Sequence, residues 1–469
     1  MTLRLSSSVL ALCCAVAACG NTSVSGPPEP RLIAGGGVGD GPVAGGVNVY
    51  VIDDDTKKPI SGAAVRVGGS SDPMACSQTT DSTGLAIFTS MTCMLVTSGK
   101  QSITASASGH APSTWIGVNG ANVTIAIRSM TTPPVDTAVV TGTIAGWDAL
   151  PAPAAGHQTL AIVGTSASRT LGDAANDLPQ DQRNVMVGVV PIPIASNLCV
   201  RNALVNDCNW RLKTRTGPQA HFAIVVDVDG KGNDDEADDT FTVIAWAVKR
   251  GLSFAKDVGT DGEVLTLLTE GEMQSFSATF PPALTGLSYV AAFPMLDLGD
   301  EGRIAIILPA LDPQHPMTKV PKLAGALAGA KYDLFANLKD EKDKDQPSSI
   351  AWAHGVDPTN PVTSLPWLAP PTALKVEAGT FSFTPVTGAS VHGGELLTAA
   401  GKRAWSITIF DGTTSFTLPG VSPDPLPAGD ARFVASAFVI PGFKPDDVSF
   451  QDLQDQLTHL ASDFVAFTH

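Results

Sequence analysis

The stretch "VVDVDGKGNDDEADDTF", Val225–Phe241, holds seven acidic residues against one lysine between two apolar runs. Counted from Asp227, Asp229 stands at position 3, Gly232 at 6, Asn233 at 7, Asp235 at 9 and Asp238 at 12. Hard oxygen donors at that spacing, with a glycine where the chain must bend sharply, suit a calcium ion that takes about six to eight oxygens. Carboxylates ~4 Å apart repel by about 1 kcal/mol per pair even in water, so the cluster gains from a cation. The competing reading is a solvated acidic turn that needs no ion. Lys231 at position 5 puts an ammonium where an oxygen belongs, and Asp238 is shorter than the glutamate that closes such loops.

The spacing resembles the calcium loop of EF-hands, which implies calcium ligands at Asp227, Asp229, Asn233, Asp235 and Asp238. The flanks differ from that family. "HFAIVV" and "TFTVIAWAV" read as strands, so the loop joins two strands instead of two helices. Other chemistry is sparse. The eight histidines lack metal-ligand spacing, and His354 and His392 sit in turn-like contexts beside glycine. No GxSxG elbow, HExxH, SxxK or phosphate-cradling GxxxxGK[ST] occurs. Carboxylate pairs can cleave sugars, but aromatic residues are only 6% of the chain and its tryptophans are dispersed. "DLGDEGR", Asp297–Arg303, reads as a hairpin turn. No catalytic residue is assigned.

The elements that must carry the acidic loop are strands. Gly (45) and Pro (35) together outnumber charged residues, and Val, Thr, Ser and Ala are frequent. That composition makes short strands joined by tight turns. The 469 residues exceed one ordinary core, so two to four domains are expected. A net charge of −16 repels phosphate backbones and argues against nucleic acid as a partner.

"MTLRLSSSVLALCCAVAACG" has a positive end at Arg4 and an apolar run too short to span a bilayer. It closes on "VAAC", which resembles the lipobox of bacterial lipoproteins. The resemblance implies cleavage before Cys19 and lipidation of that cysteine, and Gly20 after it favours the outer membrane over inner-membrane retention. Gly20–Gly46 lacks any apolar period and reads as a solvated tether spanning about 30 Å. Beyond the signal region and Cys19, the remaining cysteines form two close couples, so disulfides Cys76–Cys93 and Cys199–Cys208 are expected. Zinc is the competitor, without a CxxC or HxxxH to accompany it.

Residues 47–128 read as a small β-sandwich. "DDDTKKPISGAAVRV", "TTDSTGLAIF" and "ITASASGHAPSTW" resemble the carboxypeptidase regulatory-like domain, a transthyretin-like sandwich. That resemblance implies a spacer, stabiliser or binding module without catalytic residues. Residues 129–136 form a linker, and strand-like runs recur to the end, with a boundary placed near residue 271. The expected layout is therefore signal 1–19, tether 20–46, sandwich 47–128, linker 129–136, a β-rich domain with the acidic loop at 137–271, and a β-rich C-terminal domain at 272–469. Phe450, Leu453, Leu457 and Leu460 follow Ser449 at helical spacing and predict one short C-terminal helix. The whole reads as an all-β, multi-domain, lipid-anchored protein of a bacterial outer membrane or cell surface. It would bind an unidentified protein or carbohydrate or serve structurally, with calcium stiffening the loop. The alternative is an exported hydrolase, carbohydrate-active, with its site in the C-terminal β region.

Overall fold

The computed structural model describes residues 28–131, 136–168, 185–187, 190–192, 198–231, 239–340, 347–453 and 455–469. Cys19 lies outside them. The described chain is almost entirely strands and turns, as expected. No described helix is long and apolar enough to cross a membrane.

"VNVYVID" alternates, and Val47, Val49 and Val51 turn one face of the Gly46–Asp53 strand inward. That strand runs parallel to Asn122–Ile127 and antiparallel to Leu85–Thr89. Across the core lie Ala64–Val67, Cys76–Thr79, Gln101–Ser106 and Ser113–Val118. Val65, Val67, Ile103 and Ala105 meet Val49, Val51, Phe88, Val123 and Ile125 between the two layers. The Cys76–Cys93 disulfide staples the outermost strand, with Cα atoms 5.7 Å apart. Gly84 turns the chain at φ +77°, where a Cβ would lie 2.8 Å from the Pro59 Cβ and 2.9 Å from the Val51 carbonyl.

The expected tether behaves differently from residue 28 onward. Gly37–Gly39 forms a strand between Asn122–Ile127 and the C-terminal pair Val448–Ser449. Ile33, Val38 and Val43 are buried. The glycines that suggest a loose coil are what allow this fit: a Cβ on Gly37 would lie 2.0 Å from the Val448 carbonyl. Two buried asparagines fix the segment. Asn122 takes the Arg31 N–H on its Oδ1 at 3.0 Å and donates to Asp40 at 2.8 Å, while Asn48 donates to the Pro28 carbonyl.

A second sandwich follows. Thr137–Ala145, Asn209–Arg215 and Gly259–Thr266 form one layer. His157–Thr165, Leu198–Arg201, Gly217–Asp229 and Thr240–Phe254 form the other, which also carries the Cys199–Cys208 disulfide. Trp210, Val140, Val163, Val225 and Leu265 fill the space between them. The outer face of the second layer is covered too. Phe222, Val226 and Trp246 pack against Phe276, Leu296, Leu334 and Tyr332. Burial on both faces explains why "HFAIVV" reads as a continuous apolar run without alternation. Residues on both sides of position 271, Trp246 before it and Met273 and Phe276 after it, share this one core. Residues 270–272 are a capped turn: the Thr269 N–H and hydroxyl both reach the Glu272 carboxylate at 2.8 Å.

Twelve strands in one sheet tie the molecule together. The sheet begins at Arg303–Ala305 and passes through Ser288–Asp297, Lys331–Lys339, Ser348–Val356, His459–Thr468, Asp430–Val439, Val391–Thr398 and Arg403–Ile409. There it continues into the N-terminal sandwich by parallel pairing of Arg403–Ile409 with Ser113–Val118. The C-terminal helix shrinks to one turn, Phe450–Leu453. Phe450, Leu453 and Leu457 do pack onto the N-terminal core, but from His459 the chain becomes a strand paired on both edges. Two ladders of backbone hydrogen bonds outweigh the helical spacing of Leu460.

Candidate functional site

Asp227 and Asp229 close the Gly217–Asp229 strand, and Asp229 pairs with Thr240 of the returning strand. The described flanks of the acidic stretch are thus two antiparallel paired strands, as their sequence predicts. Residues two apart share a face of a strand, and the neighbouring strand brings His157 opposite Asp229. The His157 Nδ1 lies 2.7 Å from an Asp227 oxygen, and its Nε2 lies 3.8 Å from Asp229. Lys231 turns back at φ +51°, donating its backbone N–H and its ammonium to Asp229. Hydrogen bonds from the Lys231 ammonium and then its backbone hold the Asp229 carboxyl below the usual carboxylate range. Position 5 therefore contributes an internal cation in place of a ligand. Asn233, Asp235 and Asp238 lie outside the described residues. Among those described, no cluster of three or more His, Cys, Asp or Glu side chains is arranged to hold a metal. Asp227 and Asp229 are hard donors on one face, as calcium requires. His157 and Lys231 compete for their oxygens. The lysine is visible in the loop itself, whereas His157 is 70 residues away and only the strand pairing reveals it.

The second feature is a cleft of about 600 Å³ where the N-terminal sandwich meets the C-terminal sheet. Its floor follows from strand register. Trp115, Thr408, Gly393 and Ser436 form one row across four strands. Ser113, Ser406 and Glu395 form the next. The opposite face of these strands carries Ile407, Leu396 and Phe433, packed under the sheet Thr372–Glu377, Thr380–Thr384 and Ser415–Thr417. Large side chains thus fill one face, while on the other serine, threonine and glycine leave room beside Trp115 and Glu395. Phe438, Ile440, Phe450 and Leu457 make one end of the cleft apolar.

The other end is charged, and its charges are matched within each wall. Lys57 lies 3.0 Å from Asp54, Arg128 lies 3.8 Å from Asp55, and Arg403 meets Glu395 at 2.5 Å. Burial pushes the Asp55 carboxyl up, with Asp54 and Asp53 adding to it and Arg128 opposing. His392 borders the same cleft from a strand, not from a turn. Its Nε2 accepts the Val386 N–H at 3.0 Å, and burial lowers its pKa, so the ring is neutral.

His354 is also on a strand, Ser348–Val356. Its Nδ1 lies 3.1 Å from the buried Asp333 carboxylate, and its Nε2 lies 2.9 Å from the Leu457 carbonyl. The same carboxylate accepts the Trp352 indole N–H and the Gly355 N–H. Burial opposes charge on His354, but the hydrogen bond and charge of Asp333 and the Leu457 carbonyl outweigh it and raise its pKa. Both ring nitrogens face acceptors, so the group is an imidazolium clamp between a core strand and the C-terminal segment.

No family model matches the chain, and no curated protein matches it. Among solved structures it is similar to the shaft pilin SpaA from Lactobacillus rhamnosus GG, at 10% identity over 48% of this chain and 98% of the pilin, with TM-score 0.14. It is also similar to a Ca2+-stabilized adhesin that helps an Antarctic bacterium bind ice, at 11% identity over 92% and 99% of the two chains, TM-score 0.14. A tetra-tandem repeat from the extending region of a large adhesion protein gives 11% identity, coverage of 90% and 99%, and TM-score 0.14.

Proposed function

We propose that this chain is an exported, lipid-anchored bacterial surface protein with a non-enzymatic binding role, and that its ligand occupies the cleft at the seam of the two β regions. The cleft carries this reading: segments remote in sequence build a concave site whose floor sets serine, threonine and glycine beside Trp115. Its volume falls in the range of small-molecule sites, about 300–1,000 Å³. Charges paired within the walls favour an uncharged ligand rich in hydrogen-bonding groups, such as a neutral oligosaccharide. Two disulfides support an oxidising compartment, and the lipobox-like "VAAC" supports the anchor at Cys19. Calorimetric titration with a panel of neutral oligosaccharides tests the site. Binding that is lost when Ser406→Leu and Ser436→Leu fill the floor supports it; binding that these variants leave intact contradicts it. Cys19→Ala releases the protein from membranes on this reading, and continued retention defeats the anchor.

The acidic hairpin belongs to the same proposal as a calcium-stabilised corner. Calcium would displace His157 and Lys231 from the carboxylates of Asp227 and Asp229. Melting that responds to a chelator in the wild type, and not in Asp227→Asn/Asp229→Asn, is expected; no heat of binding and no chelator effect dismiss the ion. A second reading, a carbohydrate-active hydrolase, is favoured by Asp55 and Glu395 bordering one cleft. Chromogenic glycosides distinguish it: turnover abolished by Glu395→Gln establishes hydrolysis, and its absence from the wild type leaves binding alone.

A further inference from the structure

Methionine is usually a core residue, yet Met74, Met91 and Met94 are 47%, 92% and 67% exposed. All three flank one disulfide: Met74 stands two residues before Cys76, Met91 two before Cys93 and Met94 one after it. The bridge holds the Cys76 and Cys93 Cα atoms 5.7 Å apart, so the two sequence segments form one corner of the N-terminal sandwich. Their approach has an independent mark. A Cβ on Gly68 would lie 2.8 Å from both the Ala75 Cβ and the Leu95 Cδ1, which places the neighbours of Met74 and Met94 over the same spot.

The backbone of this corner is fixed although its side chains are exposed. The Met74 N–H donates to Asp72 Oδ1 at 2.9 Å. Thr92 and Cys93 both donate to the Thr89 carbonyl, closing the turn that carries Met91. The Thr97 hydroxyl donates to the Met94 carbonyl at 2.7 Å. Each thioether has three rotatable bonds and a polarizable sulfur, so three sulfurs on one stapled corner can converge on one ion. The cysteines between them are in a disulfide and offer no thiolate.

We propose that Met74, Met91 and Met94 form a three-thioether site for a soft monovalent cation, Cu(I). Soft thioether donors select Cu(I) over the hard divalent ions that carboxylates prefer. Thioethers carry no proton in this range, so binding releases none and holds its strength from about pH 7 to about pH 5, unlike a histidine or thiolate site. This proposal stands apart from the ligand reading of the cleft.

The probe is Ag(I), a redox-inert stand-in, titrated into the full mature chain after mass measurement confirms that both disulfides are intact. Methionine ε-methyl NMR signals and calorimetry give the readout. The expected result is one ion per chain, with the Met74, Met91 and Met94 methyl signals moving together and affinity unchanged at the lower pH. Met91→Leu weakens binding by at least the ~10-fold that loss of even an outer-shell partner costs at other metal sites. The triple Met→Leu variant abolishes it. These positions are exposed, so the variants keep the wild-type melting temperature, which serves as the folding control. Unmoved methyl signals, or equal affinity in the triple variant, overturn the site.

Discussion

Replacing His354 with glutamine tests whether the imidazolium clamp holds the C-terminal segment against the core. The substitution leaves the Asp333 carboxylate, 3% exposed, with two neutral donors, the Trp352 indole and the Gly355 N–H. A hydrogen bond to a charged group contributes about 1.5–3 kcal/mol, and the two surviving donors keep the cost of losing one near ~2 kcal/mol. The pH dependence carries the sharper signature. The folded pKa of His354 is raised above its ordinary 6.5, so its contribution is full below that value and is lost as pH rises through the folded pKa. The folded pKa of Asp333 is lowered below 3.8, chiefly because the His354 and Gly355 hydrogen bonds outweigh burial. Its contribution is present above 3.8 and is lost as pH falls through the folded value. Urea unfolding of wild type and His354→Gln should therefore differ most between about pH 4 and 6.5 and converge toward about pH 9. A difference that stays constant over that range refutes the charged clamp, and so does the absence of any difference.

Three further outcomes follow from the packing. Cys76→Ser/Cys93→Ser opens a loop of sequence separation 17; it should cost ~3 kcal/mol of stability by calorimetry, and an unchanged melting temperature counts against the staple. Gly84→Ala places a Cβ within 3 Å of Pro59 and the Val51 carbonyl at positive φ, with an expected loss of about 1–3 kcal/mol in urea; a neutral result contradicts that turn. Asn122→Ala removes the partner of Arg31, Asp40 and Asn48, so limited proteolysis should cut within residues 28–40 much faster than in wild type, and equal rates refute the pinned segment.

Sequence patterning reached furthest where apolar residues alternate along a strand. "VNVYVID" and "AVRV" alternate, and their valines line the N-terminal core as alternation implies. The cysteine couples were legible because each closes a short loop. Patterning failed where tertiary packing set the outcome. The glycines around Gly37 mean close backbone approach, but in sequence they are indistinguishable from those of a coil. Leu460 keeps helical spacing with Phe450, yet the strand it belongs to gains two neighbours only through folding. The site was less legible still. Ser113, Ser406, Gly393 and Ser436 are unremarkable residues until strand register sets them side by side, and His157 meets Asp227 only through an antiparallel pair.

The central claim is that the seam between the N-terminal sandwich and the C-terminal sheet holds the ligand. Amide hydrogen exchange of the mature protein, with and without the neutral oligosaccharide that titration identifies, locates the bound molecule. The account predicts new protection along residues 113–118, 391–396 and 403–409 and in the turn at 450–453, with the outer layer of the second sandwich unchanged. Protection confined to residues 198–215 or to the ends of the 217–229 and 240–254 strands, with the seam unaffected, would contradict it.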